Sequence, residues 1–145
     1  MRKPLLISAC LLGAACRYDG QSRPLDAETL EKLKARFALV PVCPEIYGGL
    51  PTPRPPAERT AAGVFTASGA EVTAQYARGA GETARLAALL GCEAALLKAR
   101  SPSCGSGAVY DGTFTGTLRP GDGVTAEALK AAGVAVYTEA DLDRL

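Results

Sequence analysis

Five cysteines carry most of the chemistry this sequence offers. Cys10, Cys16, Cys43, Cys92 and Cys104 are soft sulfur ligands in a chain of 145 residues that contains no His. Without imidazole there is no Ser-His-Asp or Cys-His nucleophile and no nitrogen ligand for a metal, so proton transfer falls to Glu, Asp, Lys, Tyr or a thiol. Two of the cysteines have polar company. Cys43-Pro44-Glu45 sets a carboxylate two residues from a thiol, and Ser101-Pro102-Ser103-Cys104-Gly105 sets two hydroxyls beside another, with Pro and Gly restricting the backbone. Each pair also has a plainer reading, with Glu45 merely solvated and Ser101 a helix or turn cap.

Four uses of the thiols compete. An odd cysteine count without a clear export signal makes a disulfide framework a poor fit. A structural zinc site calls for four closed thiolates, usually with a short Cys-x-x-Cys pair, and no such pair is present. Uncommitted free thiols are the third reading. The fourth and sharpest is a metal site shared by single cysteines from separate loops.

That last reading depends on the elements that position the loops. Leu5-Leu6-Ile7-Ser8 reads as a buried strand running into a loop with Cys10 and Cys16. Asp26 caps a helix whose Leu30, Leu33 and Phe37 share a face. Ala38 to Val42 is a second strand, and Pro41 favours an edge place for it. The stretch from Cys43 to Thr60 is too rich in Pro and Gly for regular structure and reads as a functional loop. Val64 to Val72 reads as a hairpin turning at Ala67-Ser68-Gly69. A longer helix capped by Thr73 runs to Leu90, with Tyr76, Ala80, Ala84, Ala87 and Leu90 as its apolar stripe, Gly79 and Gly81 weakening its middle, and Gly91 closing it. Ala94 to Leu97 is a third strand. Val109 to Leu118 reads as a hairpin turning at Asp111-Gly112. A short helix, a fourth strand at Val134 to Tyr137 and a final helix capped by Thr138 with Asp141 complete the chain.

This alternation implies an α/β fold in a single domain over residues 1–145. Its mostly parallel sheet has about four core strands flanked by helices, with two small hairpins. In such a sheet the ligand site lies beyond the carboxyl ends of the strands. Cys10, Cys43 and Cys104 each follow a different strand and should meet there. Cys92 lies between a helix end and a strand start, and is expected to be a small buried core residue near the opposite edge.

Composition narrows the partners. A net charge of +1 gives no pull toward a nucleic acid polymer or anionic lipid, and with no Trp and few aromatics a stacking platform for a base strand is poorly supported, though a single base remains possible. No run of about 18 apolar residues is available to span a membrane. A small-molecule partner and a cytoplasmic location are expected.

The motifs also resemble a known family. Ile7-Ser8-Ala9-Cys10-Leu11-Leu12-Gly13 with Cys16-Arg17-Tyr18-Asp19-Gly20 comes first. Cys43-Pro44-Glu45 follows, with Gly48-Gly49-Leu50-x-Thr52-Pro53-Arg54-x-Pro56-x-Glu58. Ser101-Pro102-Ser103-Cys104-Gly105-x-Gly107 with Tyr110-Asp111-Gly112 completes the set. In this order they resemble the family catalogued as domain of unknown function 523, over nearly the whole chain. Its members include thiouracil desulfidase, which removes sulfur from 2-thiouracil on a three-cysteine 4Fe-4S cluster without net redox change. The resemblance implies cluster ligands at Cys10, Cys43 and Cys104, an acid–base carboxylate at Glu45 and a motif hydroxyl at Ser101. For Cys16 it leaves a fourth ligand, a transient thiol or a structural residue open, with the structural role favoured.

The implied chemistry is attack of water on a carbon polarised through its sulfur, with Glu45 as general base, Ser101 orienting the substrate or shuttling a proton, and sulfur leaving as hydrosulfide. The rivals are an iron–sulfur redox or electron-transfer protein and a noncatalytic zinc-binding module, neither of which needs an acid–base pair beside its metal.

Overall fold

A computed structural model describes residues 1–145. Its centre is strand β1 (Lys3–Ser8), flanked by β2 (Phe37–Val42) on one side and β5 (Ala94–Leu97) on the other, with β8 (Ala135–Thr138) beyond β5. All three pairings are parallel. Leu5, Leu6 and Ile7 are fully buried because both faces of β1 are covered, which is why the strand reads as an unbroken apolar run. Leu5, Ile7 and Leu96 pack with Leu33 of helix α1 (Ala27–Arg36) on one face. On the other, Leu6, Ala95 and Leu97 pack with Ala87 of α3 (Thr73–Leu90) and with Ala126 and Leu129 of α4 (Val124–Ala131). The parallel sheet with helices on both faces is the architecture expected from the alternation of elements. Pro41, which has no N–H to give a second neighbour, lies on the edge strand β2 as anticipated.

Several local expectations need correction. The stretch after Cys43 holds a short helix, α2 (Pro44–Tyr47), with Pro44 at its first position, and a strand, β3 (Ala57–Thr60). The reversal at Ala67-Ser68-Gly69 forms as read, with Thr66 N–H donating to the Ala70 carbonyl, Val72 N–H donating to the Val64 carbonyl, and Phe65 bridging to Glu71. β3 pairs with β4 (Gly63–Thr66) in an additional hairpin turning at Ala61-Ala62. Gly63 makes the turn possible with φ 140. Thr73 does not cap α3. The cap position is Val72, and the Thr73 hydroxyl accepts instead from the Val64 N–H at 2.9 Å, stapling the hairpin to the helix. The buried face of α3 comprises Tyr76, Gly79, Ala80, Thr83 and Ala87, while Leu90 is exposed. Phe37 opens β2 instead of extending the α1 face.

The second hairpin pairs β6 (Ala108–Tyr110) with β7 (Leu118–Pro120) around a long loop over 111–117. The buried Glu58 carboxylate explains the longer turn, because its Oε1 accepts from the N–H groups of Gly112 and Phe114 at 2.9 and 3.1 Å and docks the loop on β3. Caps at Asp26 and Thr138 form as read, the latter as a capping box with Asp141.

Candidate functional site

Because the sheet is parallel, β1, β2 and β5 end on one edge, and the segments that follow them carry Cys10, Cys43 and the Ser101–Cys104 turn. These segments line one cavity of about 510 Å³, shared by Cys10, Cys16, Cys43, Cys104, Glu45 and Ser101. The sequence-predicted site residues are thus gathered in one place. Cys92 lies elsewhere, buried against Leu6, Ala87 and Leu97.

The four cavity thiols form a crowded set. Cys10, Cys16 and Cys104 are buried and Cys43 is half-buried, its sulfur directed at the Cys16 carbonyl oxygen at 3.8 Å. Burial, reinforced by the neighbouring Cys43, pushes the Cys10 thiol up to about 11 and the Cys16 thiol up to about 12. Cys104 is driven up by burial as well, against a hydrogen bond from the Ser8 hydroxyl that favours its thiolate. Lys98 and Arg17 favour the thiolate of Cys10. Thiolates gathered in so little water need a shared positive centre, and a cationic iron core has that character. No three His, Cys, Asp or Glu side chains are arranged to close on a single metal ion. A cubane asks for a different arrangement, one thiolate to each of several irons, and the separated loops offer that donor set.

Glu45 stands on the first turn of α2, its side chain 16% exposed. Its Oε1 accepts from Arg54 Nε at 3.0 Å and from the Tyr76 hydroxyl at 2.7 Å. Ser101 behaves as the cap that its plainer reading anticipates. Its Oγ accepts from the N–H groups of Ser103 and Cys104, both at 3.1 Å, and fixes the turn that presents Cys104. Its hydroxyl donates to no protein group, and the residue lines the cavity. Ser103, fully buried, meets the Thr125 hydroxyl at 2.7 Å and anchors the same turn to α4.

Sequence reasoning assigned no role to Arg54, Tyr76, Ser8 or Lys98. Arg54 was visible within Thr52-Pro53-Arg54, and Tyr76 counted only as part of an apolar stripe. Ser8 lies at the end of β1, where its Oγ accepts from the Lys98 N–H at 2.9 Å, and the Lys98 ammonium pairs with Glu139 at 2.7 Å.

The family model described as 2-thiouracil desulfurase matches residues 5–141. The chain belongs to the 2-thiouracil desulfurase family. A relative from Bacillus subtilis (strain 168), the uncharacterized protein YbbK, is 42% identical over 96% of this chain and 97% of its own. Among solved structures, the 4Fe-4S-dependent thiouracil desulfidase TudS superposes with a TM-score of 0.94 at 46% identity, covering 99% of this chain and 95% of that one. The 2-thiouracil desulfurase family therefore accounts for both the motif order and the sheet that carries it.

Proposed function

We propose that this chain removes sulfur from a thiolated pyrimidine such as 2-thiouracil, giving uracil and sulfide without net redox change, on a 4Fe-4S cluster held by Cys10, Cys43 and Cys104. The observation that carries the reading is that single cysteines from three separate strand ends share one cavity with Glu45 and Ser101. The solved structure of TudS at 46% identity supports it. The chain works as one domain over residues 1–145, in the cytoplasm, where five unpaired cysteines suit a reducing environment.

When bound, a cluster with three thiolates supplies an open iron, a soft Lewis acid for the thiocarbonyl sulfur that renders its carbon electrophilic. Glu45 takes a proton from the attacking water, and the Ser101 hydroxyl donates to the pyrimidine and holds its orientation. The net change is one C=S bond and one water exchanged for one C=O bond and hydrogen sulfide. Cys16 serves the cavity wall, its carbonyl fixed by Arg54 Nη2 at 2.9 Å.

The test is anaerobic reconstitution followed by incubation with 2-thiouracil, 4-thiouracil and thiolated nucleosides. Loss of thiocarbonyl absorbance should match sulfide release, and uracil should give no reaction. A fully iron-loaded protein that desulfurates none of them would overturn the reading in favour of electron transfer.

A further inference from the structure

The Glu45 carboxylate is used asymmetrically. Both of its protein donors, Arg54 Nε and the Tyr76 hydroxyl, converge on Oε1. Oε2 has no protein partner, and it is not among the buried atoms left without one, a set with Arg17 Nη1 as its sole member. One oxygen is therefore tied down and the other opens on the cavity.

The two donors are themselves rigid. The Arg54 side chain is only 4% exposed, and its guanidinium directs its other donors to the Cys16 carbonyl at 2.9 Å, the Pro51 carbonyl at 3.1 Å and the Thr52 hydroxyl at 3.0 Å. Its planar fork thus joins three segments: the loop after Cys10, the start of α2 and the loop after α2. Tyr76 is 2% exposed on α3, and its hydroxyl has a partner only in Glu45. A long carboxylate side chain on a four-residue helix has several rotamers open to it, and two fixed donors on one oxygen remove them.

We infer that Arg54 and Tyr76 are positioning residues for the desulfuration: they clamp Glu45 by Oε1 so that Oε2 alone faces the reacting water. The inference rests on Glu45 being the general base. Each acts through the carboxylate to which it donates. Loss of one donor leaves the base in place but lets it wander, and misplacement of a catalytic group by about 1 Å costs on the order of 100-fold in rate.

The experiment is a double-mutant cycle on the iron-loaded enzyme with 2-thiouracil. Tyr76→Phe preserves the buried ring and removes only the donor, and should lower kcat by roughly 10- to 100-fold with KM and iron content unchanged. Glu45→Gln should lower kcat at least as far. The double variant should be no slower than Glu45→Gln alone, because Tyr76 then has no base to hold; a residue that merely supported the fold would subtract further. Arg54→Lys keeps a cation but loses the fork, and should reproduce the kcat loss, so the test survives if Tyr76→Phe folds poorly. Wild-type turnover in Tyr76→Phe and Arg54→Lys, or additive losses in the double variant, would overturn the positioning role while leaving a slow Glu45→Gln to support the base. Wild-type turnover in Glu45→Gln would remove the base and the clamp together.

Discussion

Gly79 of α3 runs so close to α2 that a Cβ built on it would stand 1.8 Å from the carbonyl oxygen of Pro44. The approach is mutual, since a Cβ on Gly48 would meet the Gln75 carbonyl oxygen at 2.0 Å. Backbone lies against backbone, and no side chain is available to move aside. This contact sets α2 on α3 one turn from Tyr76, at the distance from which the tyrosine reaches Glu45.

Gly79→Ala should therefore cost stability and turnover together. The added methyl forces the two helices apart, and overpacking of a tight contact costs about 1–3 kcal/mol. Gly81, two residues on, has open space on its Cβ side, with nothing within 4 Å of the place a methyl would take. Gly81→Ala should stabilise by up to about 1 kcal/mol through helix propensity. Thermal denaturation of the pair decides the point: a rise in melting temperature for both would show that the contact is not close.

The cysteines divide in the same spatial terms. Cys10→Ser, Cys43→Ser and Cys104→Ser should each lose iron and activity, since each removes one of the three thiolates proposed to hold the cluster. Cys92→Ser, outside the cavity, should retain both, and Cys16→Ser should show a partial loss at most. Iron and sulfide analysis after anaerobic purification reads the outcome, and a need for Cys92 in iron retention would contradict the assignment.

Much of this arrangement was legible in the sequence, for identifiable reasons. The parallel sheet followed from apolar runs such as Leu5 to Ile7, and the placement of Cys10, Cys43 and Cys104 followed from where those runs end. Arg54 and Tyr76 were harder to read because a clamp is a tertiary relationship: Arg54 is nine residues from Glu45 and Tyr76 thirty-one. Their residue types fit a loop and a core stripe equally well. Gly79 was obscure for a similar reason. Helix propensity treats glycine as a weakness, whereas here it admits another backbone. The second hairpin turn is longer than read because Glu58 engages the distant Gly112 and Phe114 N–H groups, and Thr73 leaves the helix cap because its hydroxyl takes the Val64 N–H, which no local pattern announces.

Tyr76 also gives the fold a pH signature. Burial first, and then the Glu45 carboxylate, pushes its phenol well above the usual tyrosine range. A group raised in the folded state keeps its stabilising effect below the unfolded value and loses it as pH rises past that value, because the unfolded chain then releases the proton first. Wild-type stability should fall relative to Tyr76→Phe above about pH 10, by up to about 1.4 kcal/mol per pH unit. Urea denaturation of the two proteins at equal iron content measures the difference, in which groups common to both cancel. Parallel curves through pH 11, about one unit above the unfolded value, would mean that the phenol is not held in its protonated form by the fold.

Ser101 provides the sharpest separation between holding the site and acting in it. Its oxygen accepts two N–H groups, from Ser103 and Cys104, while its hydrogen, which has no acceptor in the protein, is proposed to serve the pyrimidine. Ser101→Ala strips away both functions: the turn loses its cap, worth about 1 kcal/mol, and the substrate loses a donor. Iron retention and kcat should therefore fall together in that variant. Ser101→Asp keeps an acceptor for the two backbone donors but has no hydrogen to give when ionised, so it should hold more iron than Ser101→Ala and still turn over slowly. Iron content compared with turnover across the two variants separates the roles. Full activity in Ser101→Asp would confine the residue to the turn that presents Cys104, and full iron retention in Ser101→Ala would confine it to the chemistry.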